Sequence, residues 1–347
     1  MERIVYADYL RVIGILGVMG VHLCGYYLSQ TPLFSNIWYQ SSIFYSLTRS
    51  GVLLFVLVSG LLLLDRPQSI DKIPHRIKRV MIPYIFWLFL YYLKMIFFDH
   101  TMVGNSMQEF ILQFIDCIFN PGYISIEFWY IYMIIGFYLA LPILYKWISN
   151  ADEREIQYFL VLSFVILVLN YFNTHMMLLE YINMFSGYLG YFVLGYYLHK
   201  KDSKYTNSFT LGLIIFIIGV IMIWLSIFIP TWTDGQLNLD YVGYLHLAPS
   251  SVFKTIGMFL MIKNINFEKI FKSKTDSVNR FMLKFSEITF GLYLIHLLIP
   301  LDGIWNINIS PFIIIPICLV IIIAITYVIL TIMNKIPILQ RFTGMKY

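Results

Sequence analysis

Residues 208–229 read SFTLGLIIFIIGVIMIWLSIFI, 22 positions without one charged side chain. At 1.5 Å of rise per residue, a helix of about 20 apolar residues crosses the roughly 30 Å of hydrocarbon in a bilayer. Nine further stretches of the same character flank it, at about 9–28, 43–64, 80–98, 128–148, 156–173, 181–199, 246–263, 286–303 and 311–333. The first is too long for a cleavable signal peptide and carries no small-residue cleavage site after its apolar core. Composition agrees: 59% of the 347 residues are hydrophobic and only 12% are charged. Soluble domains carry about 25% charged residues, and half that proportion leaves most of the surface to face lipid. The expected fold is an all-α polytopic membrane protein, one bundle of about ten transmembrane helices with residues 1–347 as a single domain.

Ten spans return both termini to one side. Placing the N-terminus in the cytoplasm puts 21 of the 24 lysines and arginines in inner segments, leaving only Arg49, Lys94 and Lys254. That bias makes both termini cytoplasmic. The net charge of +5 is thereby absorbed by inner loops, and no nucleic-acid surface is expected. Cys24, Cys117 and Cys318 form no CxxC pair, so neither a zinc site nor a disulfide framework is expected. In the fourth-span approach, Phe110, Ile111, Phe114, Ile115, Ile118 and Phe119 recur at helical spacing opposite Gln108, Glu109, Gln113 and Asp116. This predicts a short amphipathic helix, lying on the outer leaflet or packed on the bundle.

An ionisable group at membrane depth is costly unless it is paired or lines a wet cavity, so each is a functional candidate. Arg11 and His22 are eleven residues apart. Eleven steps of about 100° come to about 20° beyond three turns, so both project from one face, about 16 Å apart along the axis. Arg11 falls at the cytoplasmic boundary and His22 near mid-membrane. A guanidinium there suits phosphate, and a neutral imidazole deeper in can take a proton from an attacking hydroxyl. Anchoring of Arg11 at the inner boundary and a helix–helix hydrogen bond for His22 are the plainer readings. Arg76 and Arg79, in His75-Arg76-Ile77-Lys78-Arg79, share a helix face and join Arg11 as candidate phosphate ligands, with positive-inside anchoring as their alternative. Glu127, before Phe128-Trp129-Tyr130, is either an acceptor-side acid or a boundary carboxylate. His296 is catalytic or an interhelical histidine. Lys254, Lys94 and Arg49 either attract an anionic acceptor or pair with carboxylates. Tyr91-Tyr92 and Tyr196-Tyr197 are expected in the interfacial belt.

Several motifs together resemble the acyltransferase-3 family of integral-membrane acyltransferases, from about Arg3 to Met333. Arg11, ten residues, then His22 is similar to the family's opening signature. Leu53-Leu54-Phe55-Val56-Leu57-Val58-Ser59-Gly60 resembles its phenylalanine-rich run ending in Ser-Gly. Arg76-Ile77-Lys78-Arg79 with Pro83-Tyr84 resembles its RxxR entry to the third span. Phe128-Trp129-Tyr130-Ile131-Tyr132, Gly190-Tyr191-Phe192-Val193-Leu194-Gly195-Tyr196 and Phe290-Gly291-Leu292-Tyr293-Leu294-Ile295-His296 resemble later motifs. The chain departs where many relatives place a histidine before the fourth-span tryptophan: Phe128 stands there, behind Glu127. No hydrolase-like domain of the kind some relatives append is recognised.

The resemblance implies transfer of an acyl group, commonly acetyl, from cytoplasmic acyl-CoA to a hydroxyl of an extracytoplasmic or lipid-linked glycan at the plasma membrane. Arg11, Arg76 and Arg79 would hold the CoA phosphates. His22 would deprotonate the acceptor or carry the acyl group, with Glu127 and His296 as further catalytic candidates and Ser59, Tyr293 or backbone amides as oxyanion donors. No metal is implied. The competing expectation is an exporter of polysaccharide or its lipid-linked precursor, which intramembrane charges also suit; it leaves the Arg11/His22 spacing and the inner RxxR without a stated purpose.

Overall fold

The computed structural model describes residues 3–99, 106–172, 187–238, 247–299 and 309–345. Among these the regular structure is helical: α1 Val5–Gln30, α2 Asn36–Thr48, α3 Gly51–Leu63, α4 Ile73–Phe97, α5 Met107–Phe119, α6 Trp129–Asn150, α7 Glu153–Tyr171, α8 Tyr188–Lys200, α9 Phe209–Asp234, α10 Pro249–Lys263, α11 Thr275–Ile295 and α12 Pro311–Lys335, with shorter turns between. Helix is what an apolar solvent demands, since every backbone N–H and C=O must be satisfied within the segment. Polar residues mark the starts. Ser35, Ser106 and Ser208 each accept a backbone N–H three residues on, and Asp152 forms a reciprocal capping box with Glu155.

Among the described residues, seven helical stretches are long and apolar enough to cross a membrane: Val5–Gln30, Asn36–Leu63, Ile70–Phe97, Trp129–Asn150, Glu153–Tyr171, Phe209–Asp234 and Pro311–Lys335. The chain is therefore a multi-pass membrane protein, all-helical among the described residues. The remaining expected spans, 181–199, 246–263 and 286–303, overlap α8, α10 and α11; residues 181–186, 246 and 300–303 lie outside the described residues.

The chain divides into two compact units. The first comprises Met1–Pro67, Leu144–Ser286 and Ile304–Val320. Here α1 lies against α2 and α3, α3 against α8, and α9 against α10. Two glycine contacts bring backbones together: a Cβ on Gly60 would meet the Phe192 carbonyl oxygen, and one on Gly219 would meet the Lys254 backbone. Small residues permit this approach where lipid supplies no hydrophobic drive between helices. Four helix ends assigned above to one membrane face meet in this unit. Tyr6 at the start of α1 bonds to His199 at the end of α8 (2.5 Å), Lys200 pairs with Asp65 after α3, and Lys201 pairs with Glu153 at the start of α7. Cysteine probes beside Asp71, Lys201 and Asp276 are accordingly expected to react only from the cytoplasm; labelling of any of them from outside intact cells would break the ten-span topology.

The span expected at 43–64 begins earlier, at Asn36, and is interrupted at Arg49–Ser50 between α2 and α3. Lys254, fully buried on α10, fills the gap. Its ammonium donates to the carbonyls of Ser46 (2.5 Å) and Leu47 (2.8 Å), the two whose i+4 partners would be Ser50 and Gly51. A side chain inserted into the backbone ladder is a recognised cause of a kink. Lys254 thus bonds to backbone carbonyls, and Lys94 pairs with Asp99 at 3.2 Å as one of its two readings had it. Lys254→Ala is expected to destabilise the folded protein by about 2 kcal/mol or more, the cost of orphaning buried acceptors, measured as unfolding in detergent. An unchanged transition would show that the kink holds without the lysine.

The second unit comprises Gln68–Ile143, Glu287–Gly303 and Ile321–Tyr347. Trp87 of α4 donates to the Phe342 carbonyl (2.9 Å), and Phe86 stacks on the Phe342 ring at 4.6 Å. α5 packs on α4 through one edge of its apolar face. The Tyr92 hydroxyl donates to the Phe110 carbonyl (3.1 Å), Phe114 meets Phe89 at 5.3 Å, and Cys117 is buried, while Ile111, Ile115 and Phe119 remain exposed. Tyr91 and Tyr92 are buried, so they are core residues and not the interfacial belt residues expected from their doublet. Aromatic neighbours from α5 and the segment before α6 cover them.

Candidate functional site

α1 runs unbroken from Val5 to Gln30, which keeps Arg11 and His22 in the register that puts them on one face. Both are half-buried. One turn before Arg11 lies Asp8, a residue to which the sequence alone assigned no role. It is buried, accepts from Ser286 (2.7 Å), pairs with Arg3 (2.6 Å) and stands 4.0 Å from the Arg11 guanidinium. Asp8 therefore ties the start of α1 to α11 and sets the position of Arg11, whose side chain is 33% exposed and so within reach of an anion. The neighbouring turns are packed tightly. A Cβ on Gly17 would meet the Thr48 carbonyl at 2.8 Å, so the α2–α3 break bears on α1 just below His22.

Arg76 and Arg79 belong to the other unit, at the start of α4. Arg76 donates to Gln68 (2.7 Å) and lies over the Tyr138 ring at 5.9 Å; Arg79 is exposed. The guanidinium of Arg76 is thus oriented by an amide and an aromatic face, and Arg79 stands in the open one turn later on the same side.

Glu127 and His296 are linked through one residue. The Tyr293 hydroxyl donates to the Glu127 backbone carbonyl, and the Tyr293 carbonyl accepts from His296 Nδ1 at 2.8 Å. All three are buried. Because a carbonyl only accepts, Nδ1 carries the proton, and Nε2 is the basic nitrogen of the neutral ring. The Glu127 carboxylate accepts from Ser125 (2.5 Å) in the turn before α6. Phe128 beside it is fully buried against Tyr84 (5.3 Å) and Tyr91 (5.2 Å). Burial in this aromatic shell pushes the Glu127 carboxyl up to about 7, with the Ser125 hydrogen bond opposing the shift. Glu127 is thus a buried carboxyl and not one bathed in water. Tyr293, considered above as an oxyanion donor, has its hydroxyl proton engaged by Glu127.

The sequence-derived candidates thus fall into three places: Arg11 and His22 on α1, Arg76 and Arg79 on α4, and the Glu127–Tyr293–His296 cluster. Asp8 and Tyr293 were missed as partners. The one sequence signal for Asp8 was a carboxylate one turn from an arginine; for Tyr293 it was the three-residue spacing to His296.

The fold is that of a helical multi-pass membrane protein with buried ionisable clusters. A family model described as an acyltransferase domain matches residues 4–331, and the chain belongs to the acyltransferase-3 family. Neither a curated protein nor a solved structure matches it.

Proposed function

We propose that the protein is an O-acyltransferase of the plasma membrane that moves an acyl group, acetyl in the first instance, from cytoplasmic acyl-CoA to a hydroxyl of a cell-surface or lipid-linked glycan. Family membership carries the acyl transfer. The observation that supports the finer reading is the pairing of Arg11 and His22 on one uninterrupted face of α1. It suits a donor with an anionic head at the inner boundary and a thioester reaching inward. Arg11 on α1, and Arg76 and Arg79 on α4, are each proposed as ligands of CoA phosphate; His22 takes the proton of the acceptor hydroxyl as it attacks the thioester carbonyl, and the CoA thiolate leaves. Glu127 and His296 are further acid–base candidates, which serve the acceptor side.

Incubating the purified protein with radiolabelled acetyl-CoA and cell-envelope glycan tests this reading, and label must appear in the glycan. Arg76→Ala/Arg79→Ala is expected to weaken acyl-CoA binding by at least about tenfold, since each paired guanidinium–phosphate contact contributes more than an ordinary hydrogen bond. Unchanged affinity in a folded double variant would return both residues to topological anchors.

A further inference from the structure

At the far end of α9 from its capping Ser208, Trp224, Phe228 and Trp232 follow one another at four-residue spacing. Their rings form a parallel ladder: Trp224 on Phe228 at 5.0 Å and 11°, Phe228 on Trp232 at 6.0 Å and 25°. The loop after α1 and the start of α2 extend it. Phe34 meets it edge-on, at 5.4 Å and 72° to Trp232 and at 6.1 Å and 79° to Phe228, and Tyr39 lies tilted beside Phe228 at 6.3 Å and 31°. The base is fixed, with Trp224 donating to Ser42 (3.0 Å) and fully buried Trp38 beneath Phe34 at 5.3 Å. The tip is open: Trp232 is 65% exposed.

Phe34 itself sits at φ +60°. A bulky residue in the left-handed region costs about 1–3 kcal/mol and persists where the surroundings demand that side chain. Glycine or asparagine would make the same turn without strain but would leave the ladder without its lateral ring. Exposed Asn36, Thr233 and Asp234 adjoin the ring-bearing residues in the chain, and Gln40 is held between Asn36, to which it donates (3.2 Å), and Ser310, from which it accepts (2.5 Å).

We infer that the exposed indole of Trp232, held at the open end of this stack, is the platform on which a hexopyranose ring of the acceptor stacks; this rests on the acyltransferase reading for the identity of the acceptor as a glycan. Aromatic faces carry negative electrostatic potential. One face of a pyranose presents C–H groups with partial positive charge, and its hydroxyls need polar partners, which exposed Thr233 and Asp234 offer next to Trp232 in the chain. An interfacial lipid anchor needs an exposed tryptophan, but it has no use for parallel rings in register, a strained phenylalanine or a polar surround. By the positive-inside assignment this end of α9, with the α1–α2 loop, is extracytoplasmic, where the glycan is.

The test uses the full chain in lipid nanodiscs, titrated calorimetrically with tetrasaccharides of glucose and of N-acetylglucosamine. Each is offered free and linked to a polyprenyl phosphate, which separates recognition of the sugar from recognition of its lipid. Wild type should bind at least one sugar in both forms; Trp232→Ala should weaken binding roughly tenfold, as loss of an aromatic stacking contact does, and Trp232→Tyr should restore most of it. In the transfer assay the KM for glycan rises by a similar factor in Trp232→Ala, and the KM for acetyl-CoA does not move. No binding of either sugar by wild type, or equal binding by wild type and Trp232→Ala, would overturn the inference and make the rings a lipid anchor. Sugar binding without any acyl transfer would leave the platform standing and remove the acyltransferase reading. Transfer indifferent to Trp232 would do the reverse.

Discussion

His22→Ala is expected to abolish acyl transfer, a fall of about 10²–10⁴-fold, the usual cost of losing a general base, while acyl-CoA still binds at the arginines. The expectation rests on where α1 holds the ring. His22 follows a run of buried small residues, Gly14, Gly17 and Gly20, through which α1 presses on the α2–α3 break. Its own side chain is half-buried, so it remains reachable while its backbone is fixed. Such a residue has a defined position and a face on which to meet substrate. His22→Gln separates the two roles a histidine here can have. Glutamine keeps the hydrogen-bonding capacity but has no useful basicity, so a structural bond survives and proton transfer does not. Near-normal transfer to glycan by the glutamine variant would make His22 structural and shift the search for the base to His296 or Glu127.

What could be read in the chain before folding was whatever depends on local composition. Long apolar runs such as 208–229 became α9, and the spacing from Arg11 to His22 survived because nothing interrupts α1. What fills the break at Arg49–Ser50 was hidden. Residues 43–64 hold no proline, and although Ser50-Gly51 permits a kink there, the group that fills the break is a lysine more than 200 positions further along the chain. The same holds for Tyr91 and Tyr92, whose doublet looks interfacial until α5 and the turn before α6 close over them. Asp8 is a first-turn acid in sequence; only Ser286, 278 residues away, shows that it is a buried anchor. Glu127 read equally as boundary and as catalytic carboxylate, because its aromatic shell is assembled from α4, α6 and α11. Periodicity reports the face a residue occupies, and it carries no information about which distant group comes to meet that face.

Glu127→Gln is expected to show two separable effects, one on stability and one on rate. Burial raises this carboxyl from its ordinary 4.5 to about 7, so between those values the folded chain holds a proton that the unfolded chain has released. Its contribution to stability is complete below about pH 4.5 and is lost as pH rises to about 7, above which both states are ionised and the slope vanishes. The total is of order 3 kcal/mol, because each tenfold change in proton affinity corresponds to about 1.4 kcal/mol. Glutamine is neutral throughout and can still accept from Ser125, so its unfolding free energy should be flat across this window. It should match wild type near pH 4.5 and exceed it above pH 7. The rate reads the other role. A carboxyl that gives or takes a proton in transfer imposes a limb on kcat near pH 7; the glutamine variant should lose that limb and fall by about 10²–10⁴-fold at its optimum. A variant with flattened stability and wild-type kcat would show that Glu127 serves only the packing around Tyr91 and Tyr293. If wild-type stability showed no slope between pH 4.5 and 7, the carboxyl would instead be ionised within its aromatic shell. Its negative charge would then have to be matched by a cation or by water reaching the turn before α6.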